Sequence, residues 1–124
     1  MAQYSHLPIY NKAFTILREL YQRTPKFGKQ YKYFLGGKMI ENSIEIIKLI
    51  IRANSERNKE KRTMMIENIC LTAEVLIIHL RIANELRQLG GQKPYLYLCE
   101  MVIDLSKQAE GWKKYIPRIF NQKG

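Results

Sequence analysis

The chain has 124 residues, 46% of them hydrophobic and 26% charged, with 21 Lys and Arg against 11 Asp and Glu for a formal net charge of +10. That size and composition fit one globular domain that buries a core without metal or disulfide support. Two histidines, His6 and His79, and two cysteines, Cys70 and Cys99, without Cys-x-x-Cys or His-x-x-x-His spacing speak against a metal centre, and nothing calls for a cofactor. The N-terminus lacks the basic start and apolar run of a signal peptide. No uncharged stretch approaches the roughly 20 residues of a membrane span, so a cytoplasmic protein with no membrane partner is expected.

The first predicted helix runs from about Pro8 to Arg23, since proline suits a first turn and Thr24-Pro25 ends the pattern. Tyr10, Ala13, Phe14, Leu17, Leu20 and Tyr21 recur at spacings of three and four and predict its buried face. The second helix is expected over about Lys29 to Ala53, with the stripe Tyr33, Gly37, Ile40, Ile44, Ile47 and Ile51 inward and Glu41, Glu45, Lys48 and Arg52 in water. Gly36-Gly37 inside that helix costs about 1 kcal/mol per glycine relative to alanine, so either the helix begins after them or a neighbouring segment approaches closely, and the apolar phase continuing through Gly37 favours the close approach.

Ser55 and Asn58 are the two N-cap candidates for a third helix over about Lys59 to Leu89. One stripe is Ile66, Ile69, Cys70, Ala73, Ile77, Leu80 and Ala83; a second, on another face, is Met64, Leu71, Val75, Ile78, Ile82, Leu86 and Leu89. A helix apolar on two sides is either wrapped by its own neighbours or used for oligomerisation. Gly90-Gly91 stops it, and Pro94 opens a fourth helix, about Lys93 to Trp112, with Tyr95, Leu98, Cys99, Val102, Leu105, Ala109 and Trp112 inward. No strand pattern competes. The expected fold is all-α, an antiparallel up-down four-helix bundle over residues 1–112 with a basic C-terminal tail over residues 113–124.

Catalytic equipment is sparse. His79 has no nucleophile arrangement near it, and neither histidine follows a glutamate by three positions, as a di-metal bundle requires. Neither follows an arginine by four to six positions, as in the helical RNases of the HEPN class. No phosphate loop is present, so no catalytic residue is assigned and an enzyme is disfavoured.

The charge is unevenly placed. Residues 1–55 hold nine basic and three acidic groups, residues 56–91 six and five, and residues 92–124 six and three. No acidic residue occurs between Glu19 and Glu41, where Arg23, Lys26, Lys29, Lys32 and Lys38 interleave with Phe27, Tyr31, Tyr33 and Phe34. A second basic segment carries Lys113, Lys114, Arg118 and Lys123 among Trp112, Tyr115 and Phe120. Such runs suit RNA or DNA, with Tyr31 and Tyr115 as weaker candidates for base stacking; solvated lysines over core aromatics are the competing reading. In an antiparallel bundle the two segments fall at opposite ends.

Several local features together resemble a known family: Pro25-Lys26-Phe27 between the first two helices, Gly37-x-x-Ile40-Glu41-Asn42, Leu80-Arg81-Ile82-Ala83-Asn84-Glu85-Leu86, a tyrosine-led fourth helix and Gly111-Trp112. From about Tyr10 to Gly124 the chain resembles the Avd-like four-helix-bundle proteins. These include the accessory variability determinant of diversity-generating retroelements and proteins encoded in intervening sequences of ribosomal RNA genes. The resemblance implies a homopentameric barrel with a basic surface that binds template RNA and a reverse transcriptase and supports mutagenic cDNA synthesis. Arg23, Lys26, Lys29, Lys32, Lys38, Lys113, Lys114 and Arg118 are the expected phosphate contacts. A ribosomal-RNA-associated bundle without a polymerase, and a plain helical interaction module, stand beside that reading.

Overall fold

A computed structural model of the chain describes residues 4–123, with side chains described through Lys114. Four helices account for nearly all of it. Helix α1 is Pro8–Arg23. Helix α2 spans residues 29–55 and is built from an opening turn Lys29–Tyr31, a π-helical segment Lys32–Gly36 and a regular stretch Gly37–Ser55. Helix α3 is Lys59–Glu85 and helix α4 is Gln92–Lys123. Each helix packs on its sequence neighbour, and α4 returns to α1, closing a four-sided bundle. Among the described residues there is no strand.

The core confirms the predicted inner stripes of α3 and α4 and corrects those of α1 and α2. In α3, Ile66, Ile69, Ala73, Leu80 and Ala83 are buried, and in α4 so are Leu98, Cys99, Val102, Leu105 and Ala109. In α1 the buried face is Ile9, Ala13, Ile16 and Leu20, with Phe14 and Tyr21 left exposed. Both phases of α1 are apolar at helical spacing. The compact aliphatic set fills the narrow interior, while the aromatic set, with its tyrosine hydroxyls, keeps access to water.

In α2 the buried residues are Met39, Ser43, Ile46, Leu49, Ile50 and Ala53, one position off the predicted stripe. The regular stretch carries two adjacent apolar rows, and packing buries the one through Met39, Ile46 and Ile50; the π-helical segment lies before it. The closing bond of that segment joins the Gly37 N–H to the Lys32 carbonyl, five residues back. Tyr33, placed inward by uninterrupted α-periodicity, is instead exposed.

The helix ends follow local chemistry. Asn58 is the N-cap of α3, its Oδ1 accepting the Lys61 N–H at 2.9 Å. At its other end α3 stops at Glu85, earlier than Gly90-Gly91 implies. There the Gln88 N–H reaches the Ala83 carbonyl at 2.8 Å, and Arg87 takes the left-handed conformation at φ 59°. That 6→1 closure is a Schellman stop with a non-glycine residue at its left-handed position. Helix α4 begins with Pro94 in its first turn and continues past Trp112, where the sequence pattern weakens.

Helix α3 is apolar enough, by length and composition, to cross a membrane. The cause is its two apolar faces. Beside the core stripe, Met64, Leu71, Ile78, Ile82 and Leu86 form an exposed outer row, Leu71 at 59% and Ile78 at 57%. Ile78 also lines an open groove of about 720 Å³ between α3 and α4, together with Ile77, Val102, Ile103 and Lys107.

Candidate nucleic-acid interface

The acid-free segment forms one end of the bundle, and three anchors hold it there. Phe27, only 3% exposed, inserts into the core, and Thr24 beside it is buried in a 3₁₀ turn, Thr24–Lys26. Gly36 passes so near that turn that a Cβ added to it would lie 3.0 Å from the Thr24 Cβ. The predicted close approach is therefore real, and it falls on Gly36; a Cβ on Gly37 would meet nothing within 4 Å. Finally, the Gly28 N–H donates to Gln88 Oε1 at 2.6 Å, tying the α1–α2 connection to the α3–α4 turn. Gln88 is itself fixed, its Nε2 donating to the Leu86 carbonyl at 2.7 Å.

On this rigid base Lys26, Lys29 and Lys32 are exposed, and none has an ion pair among the described residues. Lys38 is exposed and reaches Glu41 at 3.8 Å, a long surface pair worth little. Arg23 differs. It bonds Glu19 at 3.0 Å and lies over the Tyr97 ring at 5.9 Å, so its guanidinium serves internal packing first. Tyr31 is half-buried against the core. The exposed rings are Tyr33, at 78%, and Phe34, at 84%, both on the π-helical segment. Periodicity alone assigned Tyr33 to the core and passed over Phe34. The signal available was Gly36-Gly37, beginning two residues after Phe34, a mark of irregular helix.

The second basic segment is differently occupied. Lys113 reaches Glu110 at 3.3 Å and Glu67, on α3, at 3.8 Å. Its hydrogen bond to Glu110 raises the lysine pKa and lowers that of the carboxyl. Arg62 lies over the Trp112 ring at 5.5 Å, and burial lowers its pKa. Lys114 is exposed at the rim of the α3–α4 groove. The side chains of Arg118 and Tyr115 lie outside the described residues. The cross-helix pairs place this segment beside the start of α3, at the bundle end opposite Gln88. About 20 residues of α4 at roughly 1.5 Å rise put the two basic segments some 30 Å apart.

The remaining polar groups are structural in geometry. His79 Nδ1 lies 2.7 Å from Asn42 Oδ1, joining α3 to α2, and burial followed by the nearby Lys38 charge lowers its pKa. Cys70 and Cys99 are free thiols, each raised in pKa first by burial.

A small, strongly basic, all-helical bundle protein is thus defined, with an uncompensated lysine cluster at one end. A family model described as bAvd-like matches residues 8–116, and the chain belongs to the bAvd-like family. Comparison with curated proteins found no significant match.

Proposed function

We propose that the protein is a non-catalytic cytoplasmic accessory that binds template RNA and a reverse transcriptase, supporting mutagenic cDNA synthesis in a diversity-generating retroelement. The observation that carries this reading is the trio Lys26, Lys29 and Lys32, exposed and without an ion pair among the described residues, in a segment with no acid between Glu19 and Glu41, in a chain of this family. Lysines held at fixed spacing by Phe27, Gly36 and Gln88 neutralise phosphates and release counterions. Lys38 extends the contact, and Lys114, with Arg118 on the same tail, adds a second contact at the opposite end. Arg23 and Lys113, engaged with glutamates, contribute less.

We further propose assembly as a homopentamer through the outer face of α3. Five large apolar side chains in one row, next to an open apolar groove, exceed what scattered surface residues account for. A ring would repeat the lysine cluster five times around a rim.

The reading is tested by RNA binding across salt concentrations, by co-purification with a reverse transcriptase, and by sedimentation. RNA affinity that falls steeply with salt, polymerase capture and a five-chain mass are expected. Salt-insensitive or absent RNA binding overturns the nucleic-acid role. A monomeric mass returns the outer face of α3 to another use. The gene's neighbourhood separates the family alternatives: an adjacent reverse transcriptase with template and variable repeats supports this proposal, and a position inside ribosomal RNA contradicts the polymerase role.

A further inference from the structure

Tyr33 and Phe34 are the most exposed large apolar side chains described, at 78% and 84%. They lie on the π-helical segment between the core positions Tyr31 and Leu35, off the phase that Tyr31, Leu35 and Met39 follow. Rings left in water at the end of a well-packed bundle forgo the gain of burying their apolar surface. Single-turn π segments of this kind are frequent at functional sites.

The surroundings select the occupant. Lys29 precedes Tyr33 by four residues and Lys38 follows Phe34 by four, so each ring has a lysine about one helical turn away. Lys26 and Lys32 are exposed on the same segment, with no ion pair among the described residues. A partner for this surface needs closely spaced negative charge and flat apolar faces together. A duplex supplies only the charge, since its bases are stacked on one another. A single strand supplies both. Adjacent helical side chains diverge by roughly 100°, so the two rings cannot share one base and would each serve a separate nucleotide.

We infer that Tyr33 and Phe34 are stacking platforms for unpaired RNA bases whose phosphates are held by the flanking lysines, giving this end of the bundle a preference for single-stranded RNA over duplex. The inference rests on the RNA-binding reading above and adds the state of the RNA that is recognised. Base–aromatic stacking tolerates any sequence, so the preference is for strandedness and not for particular bases.

The test uses the full chain and two labelled probes, an unstructured 20-nucleotide single-stranded RNA and a 20-base-pair RNA duplex, titrated at several salt concentrations. Wild type is expected to bind the single strand more tightly. Tyr33→Ala with Phe34→Ala is expected to weaken single-strand binding by roughly 30-fold or more, with duplex affinity within about twofold and the salt slope unchanged. Tyr33→Trp with Phe34→Trp keeps two π-faces and should retain single-strand binding. Both rings are on the surface, so circular dichroism and thermal melting should match wild type in both variants. Single-strand affinity unchanged in the alanine variant, or an equal loss on both probes, overturns the inference while leaving RNA binding intact. Retained RNA binding with lost polymerase capture also overturns it and makes the rings a protein contact. Wild type that binds neither probe at low salt removes the RNA-binding reading and this inference with it.

Discussion

The two ends of the bundle are built from the same kinds of residue and arranged to opposite effect. At the α1–α2 junction, Lys26, Lys29 and Lys32 are exposed with no acidic partner among the described residues, and two rings are exposed beside them. At the far end, Lys113 is shared between Glu67 and Glu110, and Arg62 covers Trp112. A cation with a carboxylate already in place has little to gain from a phosphate. A lysine hydrated on all sides gains through counterion release. Basic and aromatic content therefore locates an interface only when the partners of each charge are known.

The largest expected contrast comes from removing charge at each end. Lys26→Ala, Lys29→Ala and Lys32→Ala combined should lower RNA affinity roughly 100-fold near 0.1 M salt and reduce the salt slope by about 2. Lys113→Met should change RNA affinity less than threefold in the same titration. Equal losses from both variants would erase the distinction between the ends. At the outer face of α3, Leu71→Glu with Ile78→Glu should convert the sedimenting species to monomer without loss of helicity, because both side chains are exposed within one chain.

Effects on stability are smaller and report on the anchors. Gly36→Val forces a branched side chain toward the buried Thr24 and should cost about 1–3 kcal/mol, read as a lower denaturant midpoint. Gln88→Ala leaves the Gly28 N–H without its acceptor and should cost about 1 kcal/mol, with faster amide exchange at Gly28 as the local signature.

The ends should also differ in their response to pH. The lowered pKa of His79 means that, on acidification, the unfolded chain takes up its proton before the folded chain does. Its contribution is complete above the ordinary histidine value of 6.5 and is lost as pH falls toward the lower folded value. Glu110, lowered by Lys113, contributes above the ordinary carboxylate range and loses that contribution only in stronger acid. His79→Gln should flatten melting temperature between pH 7 and 5, and Glu110→Gln should flatten it only below that window.

How much of this was legible in the sequence varies from helix to helix. In α4 burial follows the aliphatic row from Leu98 to Ala109, and in α3 it follows the first of two apolar rows, from Ile66 to Ala83, leaving the second exposed. α1 carries two apolar phases, and choosing between them depends on the space its neighbours leave. α2 likewise carries two adjacent apolar rows, after a π-helical segment whose only local sign is Gly36-Gly37. The stop at Arg87 was equally hidden, because glycines three and four positions later offered a simpler reading.

By itself, the sequence determined the number of helices, the segregation of charge and the placing of the two basic segments at opposite ends, and narrowed the α3 cap to Ser55 or Asn58, since each follows from local propensity, short connections and composition. Only the tertiary structure decided which cations are neutralised and which aromatics remain in water. Glu67 is 46 residues from Lys113, and Gln88 is 60 from Gly28. Periodicity reports which face of a helix can be buried; packing against distant segments determines what that face meets.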